Sequence, residues 1–204
     1  ITISKGITAL GSYAFESCTG LTSVAFPEGA ATIGSYAFMY CDRLTSITIP
    51  ESVTNIGESA FYECTSLTGV TFVGDSQLTT IGDKAFYKCR SLVGITIPES
   101  VTSIGGDAFY NCNGLTDVYI TDMDAWCCIH FADTYATPMC YAKNIQLNGN
   151  KIATVTVPED VTALNYTFLG FKDLAEVALP DGLVTVGDSA FSGCKNLTGI
   201  TIPK

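Results

Sequence analysis

A solenoid of stacked coils is the fold this sequence predicts. Three observations predict it: a segment of about 23 residues copied end to end, columns of like residues down the copies, and an apolar pattern spanning each junction. Ile95 to Asp117, ITIPESVTSIGGDAFYNCNGLTD, is the clearest copy. One copy cannot fold, because the few apolar side chains it buries offset only part of the entropy lost in ordering its backbone. Each copy needs neighbours above and below, and fixed self-similarity at this length is a stronger signal than any propensity.

Counted from the apolar residue that opens each strand, the copies begin at Ile1, Val24, Ile47, Val70, Ile95, Val118, Val155, Val177 and Ile200. The spacing stretches to 25 where Gly74-Asp-Ser-Gln77 lengthens a turn, contracts to 22 after Val155, and gains 14 extra residues after Val118. Phe15, Phe38, Phe61, Phe86, Phe109, Phe168 and Phe191 form one column, preceded by Ala14, Ala37, Ala60, Ala85, Ala108 and Ala190. A small residue beside a large one lets layers interdigitate, so this column is core. Gly11, Gly34, Gly57, Gly82, Gly105 and Gly187 mark a turn expected to require φ > 0, with Asn165 as the one substitute.

Cys18, Cys41, Cys64, Cys89, Cys112 and Cys194 form a further column among nine cysteines. Stacked copies lie about 5 Å apart with parallel Cβ vectors, which suits disulfide geometry poorly. The column is therefore read as buried thiols bonded weakly to the turn backbone. Phe171 takes one of these places, which it could not do for a metal ligand.

The junction pattern runs Leu21-Thr-Ser-Val24-Ala-Phe26, Leu44-Thr-Ser-Ile47-Thr-Ile49, Leu67-Thr-Gly-Val70-Thr-Phe72 and Leu115-Thr-Asp-Val118-Tyr-Ile120, or LxxLxL. At this period it resembles the leucine-rich repeat family, and the flanking IP(E/D)xVTxIGxxAFxxCxxL is similar to its BspA-like branch, found on bacterial and some protist cell surfaces. The resemblance covers essentially the whole chain. It implies a single leucine-rich repeat domain over residues 1–204, a curved right-handed coil with a parallel β-sheet on the concave face and short helical or irregular convex segments. It also implies a cell-surface or secreted protein that binds proteins or other cells, with no catalytic residues to carry over. A structural spacer without a ligand of its own is the competing reading.

The chain departs from the pattern over residues 121–154, TDMDAWCCIHFADTYATPMCYAKNIQLNGNKIAT, an insert holding the only Trp and the only His. Asn144 to Val157 reads as a hairpin turning at Asn148-Gly149, which rejoins the solenoid at Ile152-Ala-Thr-Val155-Thr-Val157. Cys127, Cys128, His130 and Cys140 include soft ligand types, but their spacing is not that of a zinc site. A metal or hydrolytic site here is the remote alternative to a small satellite core around Trp126, Ile129 and Phe131. Glu28, Glu51, Glu99, Asp122, Glu159 and Asp181 follow the strands on one edge and read as a solvated ridge rather than a calcium site, which recruits several ligands from one loop. No cofactor is expected.

The expected binding surface is the outward face of the concave sheet: Thr45, Thr48, Thr68, Thr71, Thr96 and Thr116, with Tyr119, Trp126 and His130 adding specificity beside it. Tyr62, Tyr87 and Tyr110 form a second stripe on the back or flank. The partner is a protein or glycan. A formal charge of −10 makes nucleic acid a poor partner, since its affinity rests on Lys and Arg. No apolar run reaches the roughly 20 residues that cross a bilayer. The chain starts and stops within repeats, as expected of a piece of a longer protein whose signal and anchor lie elsewhere; a monomer is expected, with end-to-end pairing of bare strand edges as a possible association.

Overall fold

Each copy contributes a short strand whose residues alternate outward and inward, as in Ser46–Ile49, where Ile47 and Ile49 are buried. In the computed structural model, which describes residues 1–202, Ser23–Ala25, Ser46–Ile49, Gly69–Phe72, Gly94–Thr96, Asp117–Ile120 and Asn144–Leu147 pair side by side and parallel. Val24, Ile47, Val70, Ile95, Val118 and Ile145 stay in register along this wide sheet and turn to the core. A narrow parallel ladder of two-residue strands forms another wall: Ala9–Leu10, Thr32–Ile33, Asn55–Ile56, Thr80–Ile81, Ser103–Ile104 and His130–Phe131. The result is a parallel-sheet solenoid of about eight coils. The ninth copy is described as far as Ile202, and the domain boundary expected at 204 lies outside the described residues.

The core between the walls is a ladder of rings. Phe15, Phe38, Phe61, Phe86 and Phe109 stack with centroids 5.3 to 5.5 Å apart and planes within 12° of parallel. Each column cysteine lies beside it. The thiols of Cys41, Cys64, Cys89, Cys112 and Cys194 donate to the carbonyls of Phe15, Phe38, Phe61, Phe86 and Phe168 in the preceding coil at 3.0 to 3.2 Å. All nine cysteines are free.

Turns make the third wall of the repeating coils. Each Phe sits between two left-handed residues, such as Tyr36 (φ 60) and Tyr40 (φ 60) around Phe38, or Lys84 (φ 54) and Lys88 (φ 57) around Phe86. The N–H groups of Tyr36, Phe38 and Tyr40 cross to the carbonyls of Glu58, Ala60 and Tyr62 in the next coil at 2.7 to 2.9 Å, and the following coils repeat the pattern. On this wall the crossing amides point one way along the solenoid.

The glycine column does not follow the expectation of positive φ, because left-handed glycines stand elsewhere, as at Gly29 and Gly170. Proximity explains the column instead. A Cβ on Gly57 would lie 2.5 Å from the amide nitrogen of Ser35, and one on Gly105 would lie 2.5 Å from that of Asp83. From Gly34 to Gly105 coils touch backbone to backbone, and only a residue without a side chain fits there.

Residues 121–154 are also not the excursion expected. Their first part is another coil, 27 residues from Val118 to Ile145. Asp122 leaves the predicted acidic ridge to cap a short helix, Met123–Cys127, its carboxylate accepting the N–H groups of Asp124 and Ala125. His130–Phe131 then extends the narrow ladder and Asn144–Leu147 the wide sheet. Only the remainder is the hairpin: Asn148 (φ 50) and Gly149 (φ 79) turn the chain, and Asn150–Lys151 returns antiparallel on Gln146 and Leu147.

That return strand ends the wide sheet. Beyond it, Thr154–Thr156, Glu176–Ala178 and Gly199–Thr201 form a separate parallel sheet, and among the described residues Ala163–Leu164 pairs only with Thr185–Val186. One side chain hydrogen-bonds across the seam. The Trp126 indole donates at 2.8 Å to the carbonyl of Thr167, a position that in other coils accepts a phenylalanine N–H, as Ala190 does from Phe168. One coil earlier, within the first ladder system, the Asp133 carboxylate accepts the Asp107 N–H at 3.1 Å, where Ser59 and Lys84 donate to main-chain carbonyls.

Candidate functional site

The exposed face of the wide sheet follows from register. One row across it runs Ala25, Thr48, Thr71, Thr96, Tyr119 and Gln146; the adjacent row runs Ser23, Ser46, Gly69, Gly94, Asp117 and Asn144. The only ionisable side chains in the two rows are Asp117 and Tyr119, so the face is uncharged for four strands and becomes polar and aromatic at its last two. Thr48, Thr71 and Tyr119 are exposed and Thr96 half-buried.

Thr45, Thr68 and Thr116 flank these rows but serve the fold. The hydroxyls of Thr45 and Thr68 donate to the carbonyls of Thr22 and Thr45 at 3.2 and 2.9 Å, each beside the threonine's own N–H, and the one hydroxyl proton of Thr116 is shared between the Val93 carbonyl at 3.0 Å and the Asp117 carboxylate at 2.6 Å. Cross-coil threonine contacts of this kind stabilise a sheet edge. Of the six threonines predicted as a surface, these three therefore have their donors engaged, and Thr48, Thr71 and Thr96 form the open row.

Tyr119 leans over the neighbouring strand, where a Cβ on Gly94 would lie 3.1 Å from its Cε2. A side chain at residue 94 would press on the ring. Beside it the Asp117 carboxylate accepts the Thr116 hydroxyl at 2.6 Å and the Asn144 amide at 3.0 Å. These bonds, Thr116 first, hold its carboxyl below the usual carboxylate range, so it stays ionised and fixed at neutral pH. Asp117, Asn144 and Gln146 were not among the predicted residues. The signal was present in NIQL, which repeats the polar–apolar alternation of DVYI and continues its sheet, but the segment was read as part of an insert.

Two predicted residues leave this face. Trp126 is 1% exposed and packs on Phe131 and Phe171 with centroids 5.2 and 5.9 Å away, so its side chain is internal and unavailable to a partner. His130 is exposed, but on the narrow ladder rather than the wide sheet. The structure thus groups Thr48, Thr71, Thr96 and Tyr119 and separates them from His130 and Trp126. Cys127 is buried and Cys128 exposed, and among the described residues no three His, Cys, Asp or Glu side chains converge as a metal would need.

The tyrosine stripe is longer than predicted. Tyr62, Tyr87 and Tyr110 stack with centroids 4.7 and 5.0 Å apart, and Tyr40, Tyr135 and Tyr141 extend the row at either end. Most of these rings are half-buried, so the stripe joins coil to coil and shows mainly ring edges to solvent.

Comparison with known proteins agrees with this geometry. A family model described as BspA type leucine-rich repeat region matches residues 1–122 and 141–204 in six copies, leaving out only the divergent part of the extra coil. Among solved structures, a Treponema pallidum (T. pallidum) leucine-rich repeat protein superposes with a TM-score of 0.57 at 24% identity over 97% of this chain and 77% of its own. The pneumococcal vaccine antigen PcpA gives 0.57 at 24% over 100% and 50%, and a leucine-rich repeat protein of Bacteroides ovatus gives 0.57 at 24% over 98% and 54%. The chain thus spans about half the length of the latter two. No curated protein matches its sequence. Among the described residues no helix is long and apolar enough to cross a membrane.

Proposed function

The chain belongs to the BspA-type leucine-rich repeat family, and from that premise we propose that it is a non-enzymatic binding module of a bacterial cell-surface or secreted protein, engaging a protein or glycan through the wide sheet. One observation carries the reading: the outward rows form a preformed, nearly uncharged face that ends in an exposed tyrosine beside a carboxylate and two amides held in register. A rigid surface loses little entropy on binding, so many weak contacts add up, and the aromatic residue next to fixed polar groups is the expected centre of the energy.

Binding of the chain to a panel of extracellular matrix proteins, serum proteins and glycans tests it, alongside Thr48→Arg/Thr71→Arg and Tyr119→Ala. Saturable binding that the double variant abolishes and Tyr119→Ala weakens by tenfold or more, about 1.4 kcal/mol, is expected. Binding that survives the double variant moves the site elsewhere. A second reading, a spacer without a ligand, draws on the engaged hydroxyls of Thr45, Thr68 and Thr116. It takes precedence if the folded chain binds nothing on the panel.

A further inference from the structure

The seam between the two ladder systems is open on its narrow side. A cavity of about 260 Å³ lies there, lined by Cys128, His130, Phe131, Asp160, Thr162 and Asn165 with their neighbours. At most other steps of the narrow ladders two main-chain bonds join a coil to the one before. The N–H groups of Thr54 and Gly57 donate to the carbonyls of Ala31 and Ile33 at 2.9 and 2.8 Å, those of Thr102 and Gly105 to Thr79 and Ile81 at 2.9 and 2.8 Å, and those of Val184 and Gly187 to Thr162 and Leu164 at 2.8 Å each. The equivalent bonds from Thr162 and Asn165 to Ile129 and Phe131 are absent among the described residues.

The cavity therefore has main-chain acceptors on one wall and main-chain donors on the other, the two sides of a parallel ladder lacking one strand. On the wide side the same step of the chain carries an additional strand, Asn150–Lys151. On the narrow side no described strand fills the corresponding place.

We propose that this opening binds an extended peptide segment, which completes the narrow ladder as an added strand. Its N–H groups meet the carbonyls of Ile129 and Phe131, and its carbonyls meet the N–H groups of Thr162 and Asn165; main-chain pairing of this kind provides affinity, and alternate side chains provide selectivity. The pattern of those side chains follows from the walls. Phe131 and Leu164 are buried while His130 and Ala163 are exposed, so the incoming strand places an aliphatic residue between the first pair and a polar residue between the second. This is the polar–aliphatic order of Thr32–Ile33, Thr80–Ile81 and Ser103–Ile104. The volume is just below that of drug-sized sites, which suits a strand of two or three residues rather than a bulky ligand. Asp160 at the rim and the net charge of −10 disfavour an acidic segment. The site is independent of the wide sheet.

The test uses the chain labelled with ¹⁵N and a blocked peptide, acetyl-Val-Thr-Ser-Ile-Gly-amide, which copies Val101–Gly105. The amide signals of Thr162 and Asn165 are expected to shift saturably and their hydrogen exchange to slow, while the Thr48, Thr71 and Tyr119 amides stay fixed. The same peptide N-methylated at its Thr and Gly, the positions whose N–H groups meet the preceding coil in Val101–Gly105, keeps the side chains but loses the donors, and is expected to bind roughly tenfold or more weakly. Absence of shifts at Thr162 and Asn165 with millimolar peptide overturns the proposal, as do equal binding by the N-methylated peptide and shifts confined to the wide sheet.

Discussion

Glycine and its one substitute show how far a single residue could be read. The sequence located the column but suggested the wrong cause, because a glycine demanded by φ and one demanded by a neighbouring backbone look alike until the neighbour is placed. The two causes differ in what they predict. Gly105→Ala forces a methyl group against the Asp83 backbone, and a loss of about 1 to 3 kcal/mol is expected in denaturant unfolding. Asn165 holds the same column position but borders the open seam, so Asn165→Gly is expected to change stability by less than about 1 kcal/mol. Trp126 was read as both possible specificity residue and satellite core; the burial of its ring could be anticipated from Ile129 and Phe131 nearby, whereas its partner, the Thr167 carbonyl 41 residues away, could not. Trp126→Phe keeps the ring but leaves that buried carbonyl without a donor, and a destabilisation of about 1 to 3 kcal/mol is expected.

At the level of elements, strands were legible wherever the repeat was regular, since period and alternation together fix both register and inward face. The cysteine ladder was legible for the same reason: parallel side chains at strand spacing permit a thiol–carbonyl bond and not a bridge. Burial drives the Cys41 and Cys194 thiols up to about 11 and Cys127 and Cys140 up to about 12, with Cys64, Cys89 and Cys112 also raised. An unfolded thiol ionises near about 8.5. The unfolded chain thus gives up protons that the folded chain retains, so stability from these groups is whole below about 8.5 and declines as pH rises toward the folded values. Denaturant midpoints at pH 7 and pH 10 should show the lower value at pH 10, and replacing Cys41 and Cys194 with Ala should shrink the difference. A thiol reagent at neutral pH should label Cys18 and Cys128, the two exposed cysteines, before any other. What escaped reading was the extra coil. Its helix, Asp133 and Trp126 replace the usual turn with different chemistry at the same place, and no column count detects a substitution of main chain by side chain.

For the molecule as a whole, family and fold lay open in the sequence because every coil restates them, while the face proposed for binding took shape only when NIQL joined the wide sheet and His130 and Trp126 left it. The seam adds a feature that a uniform repeat would lack. Coils up to Leu147 share continuous ladders, coils from Thr154 share others, and no described strand pairs across the join. In a solenoid, cooperativity travels through nearest-neighbour contacts, so the chain divides into two cooperative units coupled mainly by core packing and the Trp126 bond. Native-state hydrogen exchange should report two sets of protected amides with different opening free energies, and Trp126→Phe should widen the gap between them.

Such a join acquires a mechanical meaning if the module is a tether. A load applied along the solenoid must pass from coil to coil, and everywhere but at the seam it is shared by rows of main-chain bonds. At the seam those rows give out, and the strain falls on the Trp126 indole with the packing around it and on the exposed Lys151–Asp173 ion pair. Stretching a single molecule should therefore give two ruptures, the first at lower force and beginning where the hairpin turns. The chain would then lengthen in steps under tension while its first six coils keep the wide sheet intact.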